Sequence, residues 1–279
     1  MRETGQVYTG QEDWMVCEFD SLKDFCDYIL NTPTNNAFKG KRSLASTMPD
    51  RRKKKWSGTD TFDEAYRLLL NGWSIGAQTL NEKLNIAHMD MQQQVTYKDV
   101  LSVCGYQAIV PLYLQGVPTN MVSKQIVPVK RKVITLNKVI AVSASVSSKT
   151  MEEESIKCFQ IIKKIESTGI RVNLNLMIST GHVCVKIRLK SAGERLNISK
   201  LAFPLVHPSM FRRMYLRFVE TYPTIPRSYT KGYGRVPKEE EFKKCCSKNE
   251  ILLPTLLRGS KESEIHKLSV DELLDRLQH

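Results

Sequence analysis

The chain of 279 residues contains no run of about 18 apolar residues, so its sequence offers no membrane span. The opening stretch, MRETGQVYTGQEDW, lacks the apolar core of a secretory signal, and a cytoplasmic location is expected. No C-x-x-C pair occurs among the seven cysteines. An odd number of scattered cysteines without a secretory signal points to reduced thiols, with Cys158 and Cys184 as small core residues. His182 and Cys184 have no partners at zinc-ligand spacing, so no metal is expected. A Walker loop and a G-x-G-x-x-G loop are both missing, and no cofactor is implied. Aspartate is absent between Asp99 and Asp271, which removes carboxylates that two-metal phosphoryl chemistry requires. Of the five histidines, His207 directly precedes Pro208 at a helix start, where capping or packing is the expected role. With no nucleophile, base and orienting group in evident relation, a non-enzymatic protein is expected.

Basic charge is present in surplus, and it is unevenly placed. Residues 1–129 carry 14 Lys/Arg and 14 Asp/Glu, whereas residues 130–279 carry 28 and 15. Lys186 to Arg235 alone holds 11 basic residues against Glu194 and Glu220. Such asymmetry points to an acidic partner, with nucleic acid first among the candidates.

Periodicity divides the chain. A short strand is expected over Trp14–Phe19, then a helix over Leu22–Leu30 with Phe25, Tyr28 and Ile29 as its stripe. Residues 31–57 read as a loop. Within it, Arg51, Arg52, Lys53, Lys54 and Lys55 precede Trp56, either as a solvated run or as an arm that touches phosphates and stacks a base. A helix capped by Asp60 or Thr61 and ended by Gly72 follows, then a second from Ser74 to about Gln93. VCGYQAIVPLYLQGVPTNM, punctuated by Gly and Pro, reads as a tightly turned and mostly buried connector. Residues 1–129 are thus expected to form a mostly helical N-terminal region, and residues 130–279 an α/β domain.

In that second half, RKVITLNKVIAVSAS is an apolar strand, and MEEESIKCFQIIKKIESTG an amphipathic helix with a Thr150/Glu153 capping box. IRVNLNLMI and VCVKIRLK alternate, which predicts an antiparallel hairpin at a sheet edge. Val183, Val185, Ile187 and Leu189 then point inward, and Lys186, Arg188 and Lys190 share a wet face. That stripe suits ligand binding or simple protection of an edge strand. HPSMFRRMYLRFVETYP is a helix carrying Arg212, Arg213 and Arg217, and PRSYTKGYGRVPK a loop that alternates Arg227, Tyr229, Lys231, Tyr233 and Arg235. NEILLPTLL is a further strand, and SVDELLDRLQ a closing helix with a Ser269/Glu272 capping box.

This order of elements over residues 130–279 resembles the von Willebrand factor A-type (VWA) fold, whose third strand is antiparallel. The resemblance implies a three-layer domain: a mainly parallel sheet with an antiparallel edge strand. In that fold the first strand ends in D-x-S-x-S and holds magnesium. Here Ser143 stands where the aspartate belongs, ahead of Ser145 and Ser147. Magnesium is normally held by at least one carboxylate, so the resemblance implies a metal site that no longer functions. Anion binding at the serine turn is opposed by Glu152, Glu153 and Glu154. Separately, WSGTDTFDEAYRLLLNGW, YLQGVPTNM, the strand with its serine turn, and LAFPLVHPSMFRRMYLRFVE resemble an uncharacterised family carried by bacteriophages and other mobile elements, from near residue 14 to residue 225. That likeness implies a virus-borne protein, acting in the host cytoplasm, and transfers no catalytic residues.

The expected function is nucleic-acid binding with little sequence preference. Lys186, Arg188, Lys190, Arg212, Arg213, Arg217, Arg227, Lys231 and Arg235 would meet phosphates, and Tyr229 and Tyr233 would stack on unpaired bases. The alternative is a metal-independent VWA-like scaffold that docks an acidic protein through Ser143, Ser145 and loops near Arg195. A structural role in a phage particle is a third reading.

Overall fold

Strand β1 (Arg2–Thr9) pairs antiparallel with β2 (Glu12–Phe19), with a register shift between Glu3 and Gly5. The computed structural model describes residues 1–9, 12–38, 44–49, 57–84, 96–127, 132–140, 148–180, 183–223, 237–253 and 272. Helix α1 (Leu22–Asn31) begins where the Ser21 side chain accepts from the Asp24 N–H, and it buries Phe25, Cys26 and Ile29. Helix α2 (Phe62–Asn71) is capped in the same way by Thr61, which accepts from the Glu64 N–H. It stops at Gly72, whose φ of 87° favours glycine. Helix α3 spans Ser74–Leu84.

Next come β3 (Thr96–Ser102), β4 (Gln107–Ala108), α4 (Val110–Leu114) and β5 (Met121–Val127). They build a three-stranded sheet in the order β3-β5-β4. The chain then supplies β6 (Val133–Val139), α5 (Ser148–Ser167), β7 (Arg171–Ser179), β8 (Val183–Lys190) and α6 (Ile198–Val206). A π-helical segment, Met210–Tyr215, runs directly into α7 (Leu216–Thr221), and α8 (Glu239–Lys244) and β9 (Glu250–Leu252) follow.

The main sheet has six strands in the order β1-β2-β8-β7-β6-β9. Its β2–β8, β7–β6 and β6–β9 pairs are parallel, and β1–β2 and β8–β7 antiparallel. The architecture is therefore mixed α/β. The expected β7–β8 hairpin is present, but β8 is not an edge strand, because β2 pairs along its outer side. Pleating sends Val183, Val185 and Ile187 to the helical face, as their alternation predicted, where they join Leu136, Leu174 and Leu176. Phe218 of α7 packs there against Phe19, Phe25 and Tyr28 at centroid distances of 5.5 to 6.2 Å. Each such buried aromatic is worth about 1.5–3 kcal/mol of transfer free energy. On the opposite face, Phe242 and Cys245 of the α8 region cover Val16, Val139, Met177 and Cys184.

The chain divides into Met1–Ile86 with Val133–His279 as one compact unit, and Ala87–Lys132 as another. The boundary expected at 129/130 thus does not separate the N-terminal residues from the α/β domain. The described helices of residues 1–86 do not stand apart as a region of their own: β1 and β2 extend the sheet, and α1–α3 join its helical layer. The expected buried connector is the other surprise. No described residue between Tyr97 and Ile126 is buried, and Tyr113 and Leu114 are 67% and 78% exposed. Three short strands in one layer cannot enclose a core. Smaller differences lie at element ends: β2 starts at Glu12, and α5 starts at Ser148, ahead of the Thr150 proposed as its cap. Among the described residues no helix is long and apolar enough to cross a membrane.

Candidate functional site

Burial decides which of the expected cationic contacts can meet a ligand. Lys186 and Lys190, assigned to a wet face, are 4% and 2% exposed. Lys186 Nζ lies 2.8 Å from Glu250 Oε2 and 3.5 Å from Glu18 Oε1. Burial alone would lower its pKa, but the bond to Glu250 and the two carboxylates outweigh that and hold it above the ordinary lysine value. Glu250 is correspondingly held below the usual carboxylate value: burial raises it, and the hydrogen bond from Lys186 more than compensates. Lys190 Nζ bonds Glu166 Oε1 at 2.6 Å and the Val172 carbonyl at 3.1 Å. The wet-face expectation failed for Lys186 because β2 pairs along β8 as far as Ile187 and the α8 region packs on this side of the sheet, and for Lys190 because its ammonium reaches Glu166 of α5.

Arg213 departs furthest from expectation. It is 0% exposed. Its Nε donates to Thr59 Oγ1 at 2.8 Å. Nη1 donates to the carbonyls of Ser46 (2.9 Å) and Met48 (3.3 Å). Nη2 donates to Ser57 Oγ (3.0 Å) and to the carbonyls of Thr59 (2.7 Å) and Asp60 (3.0 Å). The guanidinium therefore ties residues 46–48 and 57–60 to the π-helical segment, and it does not face solvent. Glu220 grips the same strip, accepting from the Ser46 N–H at 3.1 Å and from the Ser46 hydroxyl. Gly58 closes the contact: its φ is 85°, and a Cβ there would fall 2.7 Å from Pro208 Cγ. Arg217, half-buried, donates to the Ile29 carbonyl (3.2 Å) and Thr34 Oγ1 (2.9 Å), and Arg212 is half-buried. His207 packs as expected, between Trp73 and Phe203 at centroid distances of 4.8 and 4.7 Å. Its Nδ1 accepts from the Ser209 N–H, and burial pushes its pKa down to about 4.

The expected contacts Arg227, Tyr229, Lys231, Tyr233 and Arg235 lie outside the described residues. So do Arg51, Arg52, Lys53, Lys54, Lys55 and Trp56, the serine turn with Ser143, Ser145 and Ser147, and the Ser269 cap.

A cleft of about 440 Å³ opens where β2 and β8 end. The two strands are parallel there, and Phe19 stands opposite Ile187. Beyond them the chain enters α1 and α6, whose first turns are capped by Ser21 and Asn197. Leu69, Leu70 and Leu201 line the apolar part of the cleft. Lys23, Arg188, Arg195 and Lys200 line it with positive charge, against Asp20 and Glu194. Glu194 is partly occupied by its own turn, since its Oε2 accepts from the Ser191 N–H at 2.7 Å. Arg188 is fixed by its Nε, which donates to Asn175 Oδ1 at 2.6 Å, and Asn175 in turn donates to Asn137 Oδ1 at 2.9 Å. Lys23, Arg195 and Lys200 are exposed. Crevices beyond the carboxyl ends of strands are where open α/β sheets bind ligands, and the first turns of the two helices add a favourable field for anions. Of these cations only Arg188 was expected as a nucleic-acid contact; the loops near Arg195 were named for the alternative scaffold. Lys23 and Lys200 each follow a capping residue by two or three positions, a local signal, but their convergence depends on β2 joining β8.

The family model that matches this chain, over residues 8–278, is described as a domain of unknown function, DUF7192. The chain belongs to that family. No curated protein and no solved structure matches it. Among the described residues, no group of three or more His, Cys, Asp or Glu side chains is arranged to hold a metal ion.

Proposed function

We propose that this DUF7192 chain binds nucleic acid through its phosphates, without catalysis, at the cleft beyond β2 and β8. The observation that carries the reading is the convergence of Lys23, Arg188, Arg195 and Lys200 on one 440 Å³ cleft. Nucleic acid is preferred over an acidic protein because the cations are grouped around a concave seat in a chain of net charge +13. Arg213 takes no direct part. Four phosphate contacts give a slope of log K against log salt of about −3 to −4, or a loss near 100-fold between about 50 and 200 mM.

The test is fluorescence anisotropy with single-stranded and duplex oligonucleotides over a salt series, comparing the wild type with Arg195→Glu/Lys200→Glu. Both residues are exposed, so the variant keeps the fold. Steep salt dependence that flattens in the variant supports the reading. Absence of binding at about 50 mM salt, where phosphate contacts are strongest, refutes it. Equal affinity for poly-glutamate would assign the cleft to an acidic protein instead.

The strand order β8-β7-β6-β9, with β8 antiparallel to β7, supports a VWA-like framework for the C-terminal half. In this reading the framework works without a metal and presents the cleft.

A further inference from the structure

Three of the seven cysteines meet on the side of the main sheet that α8 covers. Cys184 stands on β8 between Val16 of β2 and Ser179 of β7, and it is fully buried. Phe242 of α8 and Cys245, which caps that helix, are three residues apart and so share one face. That face packs on Val16, Val139, Met177 and Cys184. Across this packing the Cys184 and Cys245 thiols, both free, share a hydrogen bond. Cys246 completes the group: its Sγ accepts from Asn137 Nδ2 at 3.3 Å and lies 3.8 Å from Met177 Sδ. Cys17, Cys26 and Cys158 belong instead to the core on the helical side.

Buried cysteines are ordinarily inert, because apolar surroundings suppress the thiolate. This group has a cation beside it. Lys186 follows Cys184 by two positions on β8 and projects from the same face, where Glu250 and Glu18 hold its ammonium. The bond from Cys184 and that ammonium keep the Cys245 thiol below its ordinary value, against the opposing effects of burial and Glu241. Cys184 is pushed well above the ordinary value by the same bond and by burial, and burial raises Cys246 to about 11. Cys245 keeps 5% of its surface exposed and Cys246 is half-buried, so the group borders solvent.

We infer that Cys184 and Cys245 are a peroxide-responsive dithiol that closes to a reversible disulfide and fastens α8 to the sheet. The Cys245 thiolate attacks one oxygen of hydrogen peroxide. An S–O bond forms, the O–O bond breaks, and the departing hydroxide takes up the proton that Cys245 had released, leaving as water. The Cys184 sulfur then attacks the Cys245 sulfenic acid. An S–S bond forms, the S–O bond breaks, and a second water leaves with the Cys184 proton. Two thiols give up two electrons and two protons, and one peroxide takes them. The inference does not depend on what the cationic cleft binds.

The experiment is a hydrogen peroxide titration of the full chain, with remaining thiols blocked by iodoacetamide and peptides mapped by mass spectrometry before and after dithiothreitol. Cys104, the exposed cysteine, is the internal reference. The expected result is an intramolecular Cys184–Cys245 link, seen as a loss of two hydrogens, at peroxide levels that leave Cys104 mostly a thiol. Dithiothreitol should reverse it. Because Cys245 and Cys246 are neighbours, the map is repeated in Cys246→Ala, which should keep the link. Cys184→Ala should lose the link and leave a Cys245 sulfenic acid that dimedone traps, an adduct that a purely structural role for Cys184 would not produce. The wild-type map stands whether or not the variants fold. Oxidation of Cys104 while Cys184 and Cys245 stay reduced overturns the inference, as does a link confined to Cys246.

Discussion

Replacing Arg213 with methionine should destabilise the larger unit severely, although the residue touches no ligand in the proposed site. Methionine fills much of the same space and removes every donor. Six acceptors, the Ser46, Met48, Thr59 and Asp60 carbonyls and the Ser57 and Thr59 hydroxyls, would each lose a partner. Individual hydrogen bonds to a charged group are worth about 1.5–3 kcal/mol, but they are not additive, because freed carbonyls recover some water. Breaking a buried charge network by removing one member costs about 3–5 kcal/mol, so a loss near 4 kcal/mol is expected. For a unit of this size that corresponds to a fall in Tm of about 12 °C. Arg213→Lys recovers only part, since an ammonium offers three donors from a single point instead of five in a planar fork. Urea unfolding followed by circular dichroism gives the magnitude. Glu220→Gln, alone and combined, tests the coupling through Ser46, where a double-mutant interaction of at least about 0.5 kcal/mol is expected. A loss below about 1 kcal/mol for Arg213→Met, with an unchanged denaturant slope, would refute the claim that this guanidinium holds residues 46–48 and 57–60 in place.

Two further outcomes follow from burial. His207 has a pKa of about 4 in the fold against an ordinary value of 6.5, so the unfolded chain takes up a proton that the native chain refuses. The stability from this group is therefore complete above pH 6.5 and is lost as pH falls toward 4, by about 3 kcal/mol; urea midpoints of wild type and His207→Phe should converge in slope against pH if His207 is not the cause. Of the seven cysteines only Cys104 is exposed, while burial pushes Cys26 and Cys158 up to about 12 and Cys246 up to about 11. A maleimide should label Cys104 first in native protein, as mass spectrometry of peptides would report, and rapid labelling of Cys26 or Cys158 would contradict their packing.

Local elements were legible because their causes are local. Ser21 and Thr61 are hydroxyls one residue ahead of an apolar 3.6-residue stripe, and Gly72 sits where that stripe ends. The β7–β8 hairpin was readable from alternation, and so was the inward set Val183, Val185 and Ile187. The exterior assignment of Lys186 and Lys190 failed from the same alternation. A period of two separates two faces of a strand, but it carries no information on whether the second face is covered. Arg213 shows the limit most plainly. Its sequence neighbours, Phe211, Arg212 and Met214, mark a boundary position on an amphipathic helix, and its partners lie about 150 to 167 residues earlier in the chain.

What the sequence determined by itself was the kind of protein: an α/β chain with reduced thiols, a basic second half, capped helices and an alternating hairpin. The pairing of β2 with β8 was decided only by tertiary structure. That single long-range contact removed the sheet edge, set Glu18 beside Lys186 and brought the first turns of α1 and α6 to one cleft. Strand partners are selected by the joint burial of surfaces far apart in the chain, and the selection is a property of the packed whole rather than of any window of residues.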